Sequence, residues 1–109
     1  MTYCVYKTKG FEEPWWLNDD WKNNILDVQQ FTTLEAAYHQ YTVEKSRLSQ
    51  QHTHCSERNN HMAAYWNKGD VAYCIPCEND EQLYTGIFIQ TDQGTLSDED
   101  LQTLQYLND

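Results

Sequence analysis

One run of ten residues, EEPWWLNDDW at 12–21, most constrains how this chain can fold. It contains three of the four tryptophans in the sequence, together with four carboxylates and a proline. Successive side chains of a helix point ~100° apart, so Trp15, Trp16 and Trp21 cannot all face the same side of one short helix. We therefore expect Trp21 to face the core beside Leu17, and Trp15 or Trp16 to remain partly exposed.

A partly exposed tryptophan beside carboxylates is typical of a protein-binding surface, because Trp is enriched at interface hot spots. We predict a partner-binding surface made of Glu13, Trp15, Trp16, Asp19 and Asp20. Its charge suits a partner segment that is basic as well as apolar, and the chain is therefore predicted to be an interaction or regulatory module. Two alternatives stay open: the same side chains bind a sugar-like small ligand, or the tryptophans are only core or lid residues.

The overall charge excludes several classes of function. Seventeen acidic and seven basic residues give a net charge of −10. Binding to nucleic acid or to an anionic membrane requires clustered Lys and Arg, and the basic residues here form no run. No segment approaches the ~20 apolar residues of a transmembrane helix, and the N terminus shows no export signal. We therefore expect a cytoplasmic protein with reduced cysteines.

The second informative feature is the Cys-x-x-Cys pair formed by Cys74 and Cys77. Two thiolates at this spacing can reach one metal ion, and a tetrahedral zinc site requires two further ligands. His61 is the first candidate for these. The candidates for the fourth ligand are His52, His54 and Cys55. Zinc is thus the one cofactor that the sequence suggests, on the tentative set Cys74, Cys77, His61 and His52.

Two other interpretations of the cysteine pair stay open, namely packed structural thiols and a redox pair. Carboxylates follow the pair at Glu78, Asp80 and Glu81. Negative neighbours raise the pKa of a thiol, which disfavours chemistry of the thioredoxin type. The sequence contains no glycine-rich phosphate loop, no G-x-S-x-G and no H-E-x-x-H. We predict no catalytic residues, and a binding protein rather than an enzyme.

Residue patterns predict a single domain over 1–109 with an α+β fold. Strands are predicted at 2–9, 25–31, 71–75 and 83–91. Helices are predicted after Pro14, near 33–50, at 62–66 and within the C-terminal segment 92–109. The result is an antiparallel or mixed sheet of about four strands, layered with about three to four helices. The C-terminal helix is expected at the periphery.

Three local predictions accompany this arrangement. Thr32, three residues before Glu35, is predicted to cap the long helix. The polar segment 50–60 is predicted to be a loop. The strands at 71–75 and 83–91 are predicted to pair as a hairpin across a short acidic link.

The tryptophan run also resembles the signature of a known family. Glu13-Pro14-Trp15-Trp16 followed by Asp20-Trp21 looks like the motif of a family of small acidic proteins from Firmicutes, the domain of unknown function one thousand and thirty-three. Further matches are Phe31, Ala36, Ala37, Trp66, the Cys-x-x-Cys pair, Gln82 and Tyr84. The resemblance covers roughly residues 3 to 90 and departs from the pattern at Phe11 and Asn18. It implies a bacterial, cytosolic setting and carries no known activity.

Overall fold

The structure, a computed structural model, describes residues 1–16 and 20–108. Its fold is α+β, as the sequence predicts. The described residues form the strands β1 (Tyr3–Gly10), β2 (Ile25–Phe31), β3 (His54–Arg58), β4 (Met62–Trp66), β5 (Val71–Cys74), β6 (Asn79–Gln82) and β7 (Tyr84–Thr91). They also form the helices α1 (Leu34–Gln51) and α2 (Asp98–Asn108), with two 3₁₀ helices at Pro14–Trp16 and Trp21–Asn24. The prediction of three to four helices was therefore too high for the described part of the chain.

The strands form two antiparallel sheets. The larger sheet has five strands in the order β2-β1-β7-β4-β3. Its centre is the long pair of β1 and β7, which runs in register from Tyr3 opposite Thr91 to Gly10 opposite Tyr84. The smaller sheet is a hairpin of β5 and β6. The larger sheet carries the core, and the hairpin contributes no residue to that core cluster.

One face of the larger sheet packs against α1. Side chains alternate between the two faces of a strand, so Val5 of β1 and Ile87 and Ile89 of β7 point to the same side, where they are buried. Tyr41 of α1 is fully buried in the same cluster, and its hydroxyl donates a 2.7 Å hydrogen bond to Glu57 of β3. Helix α2 adds Leu104 to this core.

The opposite face of the sheet is covered by the two 3₁₀ helices, which we call the tryptophan lid (Pro14–Trp16 and Trp21–Asn24). The ring of Trp21 packs edge-on against Tyr6 at 5.1 Å and against Phe88 at 5.4 Å, between ring centroids. Such aromatic pairs contribute about 0.5–1.5 kcal/mol beyond their buried area. The sheet is thus covered on both faces, which explains why a chain poor in aliphatic residues needs large rings in this run.

Residues 62–66, predicted as a helix, form strand β4. Met62 pairs with Phe88 and Tyr65 with Thr85 of β7. Four of the five residues of β4 are buried, because a strand covered on both faces shows no alternation of polar and apolar side chains. The polar segment predicted as a loop contains β3, which pairs along the whole of β4.

Two local predictions were also wrong. Strand β5 pairs with β6, which lies inside the supposed acidic link, and it does not pair with β7. The N-cap of α1 is Thr33 instead of Thr32, and its hydroxyl accepts a 3.2 Å hydrogen bond from the amide of Ala36. In the described part of the chain, neither α1 nor α2 has the length and apolar composition of a membrane-crossing helix.

Candidate functional site

A cavity of about 410 Å³, here called the cleft, lies between the tryptophan lid and the turn that joins β5 to β6. Its lid side is lined by Phe11, Glu12, Glu13, Pro14, Asp20, Trp21 and Asn24. Its turn side is lined by Cys74, Pro76 and Cys77, and its floor by Thr8, Gly10 and Phe88 of the sheet. The tryptophan run and the cysteine pair therefore meet at one site, although more than fifty residues separate them in the chain.

The lid is positioned on the sheet by close packing. The first 3₁₀ helix contacts β4 and β7, and the second contacts β1. Asp20 precedes the second helix, and its main-chain oxygen accepts a 2.9 Å hydrogen bond from the amide of Asn23. The carboxylate of Asp20 makes no capping hydrogen bond. That side chain is exposed and lines the cleft without serving the helix terminus.

The electrostatic character of the cleft is negative. Three carboxylates, Glu12, Glu13 and Asp20, line it, and no Lys, Arg or His is among the described residues of its lining. Negative charge also affects Tyr84, which follows the hairpin: burial, and then the charges of Glu13 and Glu81, raise the pKa of its phenol. A negative cavity with the aromatic residues Phe11 and Trp21 on its lid side suits a cation with an apolar stem.

The predicted partner-binding residues divide between two places. Glu13 and Asp20 line the cleft, whereas Trp15 and Trp16 do not. Asp19 and Leu17 lie outside the described residues. Trp16 is 60% exposed, as expected for at least one ring of the run. Sequence reasoning did not include Trp21 in the site, because the position of its ring depends on the strands beneath it.

Trp15 and Trp16 form a separate contact with β3. The guanidinium of Arg58 lies 4.6 Å from the ring centre of Trp15 and 5.9 Å from that of Trp16. Both distances are in the range of cation–π interactions. The indole nitrogen of Trp15 is buried, with no hydrogen-bond partner among residues 1–16 and 20–108. Arg58 thus fixes this end of the lid to the edge of the sheet.

Cys74 and Cys77 are joined by a disulfide, with 5.2 Å between their Cα atoms. The expectation of reduced cysteines is therefore corrected for this pair, while Cys4 and Cys55 are free. The bond spans the turn between β5 and β6, where the amide of Glu78 donates a 3.2 Å hydrogen bond to the carbonyl of Ile75. Cys74 is buried at 7% exposure and Cys77 is exposed.

The tentative zinc ligands are not brought together. Among the described residues, no group of three or more His, Cys, Asp or Glu side chains is placed to hold a metal ion. His52 ends α1, and its Nδ1 lies 2.8 Å from the carbonyl oxygen of Leu48. His61 is buried with its Nδ1 2.9 Å from the carbonyl oxygen of Asn59, and burial lowers the pKa of its imidazole. Both histidines thus have local contacts with the backbone.

The chain belongs to the family described as "Protein of unknown function (DUF1033)", whose model matches residues 2–108. The match extends beyond the span of roughly 3 to 90 expected from the motifs, and it includes α2. No curated protein and no solved structure matches the chain.

Proposed function

We propose that this protein is an interaction module whose cleft binds a basic segment of a partner protein. The observation that carries the proposal is the lining: three carboxylates, the partly exposed aromatic residues Phe11 and Trp21, and no basic side chain in the described part of the cavity. A Lys or Arg side chain matches both components, since its stem packs on rings while its charged end reaches carboxylates. The volume of about 410 Å³ lies in the ~300–1,000 Å³ range of ligand pockets.

Exposed apolar side chains beside the cleft support a protein partner over a small molecule. Phe11 is 39% exposed at the cleft, and Ile75, between two lining residues, is 80% exposed. Tyr73 on the same hairpin is 61% exposed. A basic side chain in the cleft with flanking apolar residues on this hairpin would use both features. A neutral sugar would donate hydrogen bonds to the carboxylates but would form no ion pair with them, which places sugar binding second.

The test is calorimetric titration of the protein with a short peptide that alternates Arg and Leu, beside a matched Glu and Leu peptide. We expect binding of the Arg peptide that weakens as salt rises, because partly exposed charges are screened. Glu13→Gln with Asp20→Asn should weaken it about tenfold. Asp98→Asn, which removes an exposed charge at the start of α2, is the matched control and should leave affinity unchanged.

Three results would argue against the proposal. They are equal binding of the acidic peptide, an unchanged affinity in the Glu13→Gln and Asp20→Asn variant, and an equal loss in Asp98→Asn. Saturable binding of a neutral oligosaccharide with no binding of the Arg peptide would favour the sugar alternative.

A further inference from the structure

We propose that the Cys74–Cys77 disulfide is a reversible redox switch that a thiol opens from its Cys77 side, and that its opening changes the wall of the cleft. The redox part stands on the geometry of the turn. The effect on binding rests on the proposed function, because it concerns the same cleft.

The two sulfurs differ in access. Cys77 is exposed, whereas Cys74 is 7% exposed. An incoming thiolate must approach a disulfide sulfur directly, so access decides which sulfur is attacked. Attack is therefore directed to Sγ of Cys77, and Sγ of Cys74 is the leaving group.

The disulfide contributes little to the stability of the fold. The stabilisation by a disulfide rises with the length of the loop that it closes, and this one closes only the four residues Cys74–Cys77. The hairpin is already held by the pairing of Val71 with Gln82 through Cys74 with Asn79. Within residues 1–16 and 20–108, its strands pair only with each other and lie outside the five-stranded sheet. Opening the bond therefore leaves the core strands and their partners in place.

Because the bond lies in the wall of the cleft, opening it affects the shape of the cleft. Cys74, Pro76 and Cys77 all line the cleft, opposite Glu13 and Asp20 of the lid side. When the bond opens, the constraint on the Cα atoms of the pair, 5.2 Å apart, is removed. The turn side of the cleft can then rearrange while the lid side stays packed on the sheet.

Two external thiols supply the two electrons that reduce the disulfide. The first thiolate attacks Sγ of Cys77, forms a mixed disulfide there and releases Sγ of Cys74 as a thiolate, which takes up a proton. A second thiolate attacks the external sulfur of the mixed disulfide and releases Cys77. In the net reaction, the protein disulfide and two thiols are converted to a protein dithiol and one external disulfide. Two electrons and two protons are transferred to the protein. An excess of the external disulfide reverses it.

The surrounding charge selects the kind of thiol. The cleft carries Glu12, Glu13 and Asp20, and Glu78 and Asp80 follow the pair directly on the turn and β6. An anionic thiol is repelled by this field, whereas a cationic one is attracted, and salt suppresses both effects. The co-reactant is therefore a neutral or cationic thiol. In a reducing compartment, such as the cytoplasm expected from the sequence, the dithiol is the resting form and oxidation closes the switch.

The redox part is tested by counting thiols. The folded protein is equilibrated in mixtures of reduced and oxidised dithiothreitol, quenched in acid, then unfolded and alkylated for mass spectrometry. We expect four alkylated cysteines in excess reductant and two, Cys4 and Cys55, in excess oxidant, with full return between the states. Four alkylated cysteines in every mixture, or two in excess reductant with the protein still folded, would overturn the switch.

The direction of attack is tested with two monothiols. Cysteamine is cationic and mercaptoethanesulfonate is anionic. Per unit of thiolate, cysteamine should open the bond at least about tenfold faster at low salt, and the ratio should approach one at high salt. Single-turnover trapping should place the mixed disulfide on Cys77. A mixed disulfide on Cys74, or equal rates at low salt, contradicts the assignment.

The coupling to the cleft is tested with the Arg and Leu peptide. Its Kd should differ at least about fivefold between the oxidised and reduced proteins. Cys74→Ser with Cys77→Ser should match the reduced form under all redox conditions. Equal affinity of both forms overturns the coupling and leaves the proposed function intact. Loss of peptide binding in both forms overturns the proposed function, and the thiol count still decides the redox part.

Discussion

Pro14 lies directly over Gly86: a Cβ atom added at Gly86 would stand 3.0 Å from both Cβ and Cγ of Pro14. The same atom would stand 2.7 Å from Oγ1 of Thr8 on the neighbouring strand. The absence of a side chain at this position of β7 therefore lets the lid pack on the sheet. Gly86→Ala should lower the free energy of unfolding by about 1–3 kcal/mol, the usual cost of overpacking. Chemical denaturation measures it.

A double-mutant cycle separates this contact from a general effect of alanine in the strand. Pro14→Gly removes the two carbons that the new methyl group meets. In that background, Gly86→Ala should cost less than it does alone, since the residues in contact are coupled. Equal costs in both backgrounds would show that Pro14 does not occupy the space above Gly86.

The tryptophans of the lid should differ sharply in their contribution to stability. Trp21 packs against Tyr6 and Phe88, whereas Trp16 is 60% exposed. Trp21→Ala should lower the free energy of unfolding by about 2–3 kcal/mol, less than at a fully buried position because Trp21 is half-buried. Trp16→Ala should lower it by less than about 1 kcal/mol, because the ring is mostly exposed and its removal costs a contact with Arg58. Similar losses in the two variants would contradict the placement of these rings.

Local sequence signals predicted the elements that depend on local interactions. The helix expected near 33–50 is α1, and the strand expected at 25–31 is β2 with the same limits. Residues 62–66, MAAYW, have good helix formers at their start, yet they pair with β7 on one side and β3 on the other. Strand β7 lies far away in sequence, whereas β3 is joined to β4 by a short turn in which Asn59 and Asn60 have positive φ. Pairing with both strands overrides the weak local preference for a helix.

The candidate site, like the fold, was only partly predictable from the sequence. Composition identified both the tryptophan run and the cysteine pair as unusual. That they share a cleft could not be predicted, because the run reaches the turn only through the packing of the lid on β1 and β7 and the position of the β5–β6 hairpin. Phe88 of the cleft floor reads from sequence as an ordinary strand residue. Phe88 is 1% exposed, and its place in the floor depends on the space left between the lid and the turn.

The cap of α1 gives a test with a matched control one residue away. The hydroxyl of Thr33 accepts the hydrogen bond from the amide of Ala36, whereas Thr32 is exposed and precedes the cap. Thr33→Ala should lower the free energy of unfolding by about 1 kcal/mol. Thr32→Ala should have little effect, although the sequence pattern alone favoured Thr32. If thermal or chemical denaturation shows a larger loss in Thr32→Ala than in Thr33→Ala, the cap lies at Thr32.

Alkaline pH should destabilise the fold through its buried tyrosines. Burial, followed by the charges of Cys55 and Glu57, raises the pKa of Tyr65 to about 12, compared with about 10 for a tyrosine in an unfolded chain. The folded state thus favours the neutral phenol. The stability that this contributes is complete below pH ~10 and is lost as pH rises through ~12, at up to about 1.4 kcal/mol per pH unit. Burial raises the pKa of Tyr41 in the same direction.

Tyr65→Phe isolates one of these groups. The variant cannot ionise at this position, so its free energy of unfolding should fall less steeply between pH 10 and pH 12 than that of the wild type. Tyr106→Phe is the matched control for the loss of a phenol, because Tyr106 is 83% exposed on α2. Urea denaturation at successive pH values gives all three slopes. If the wild type and Tyr65→Phe have the same slope, Tyr65 ionises equally well in the folded and unfolded chains and its burial does not oppose the charge.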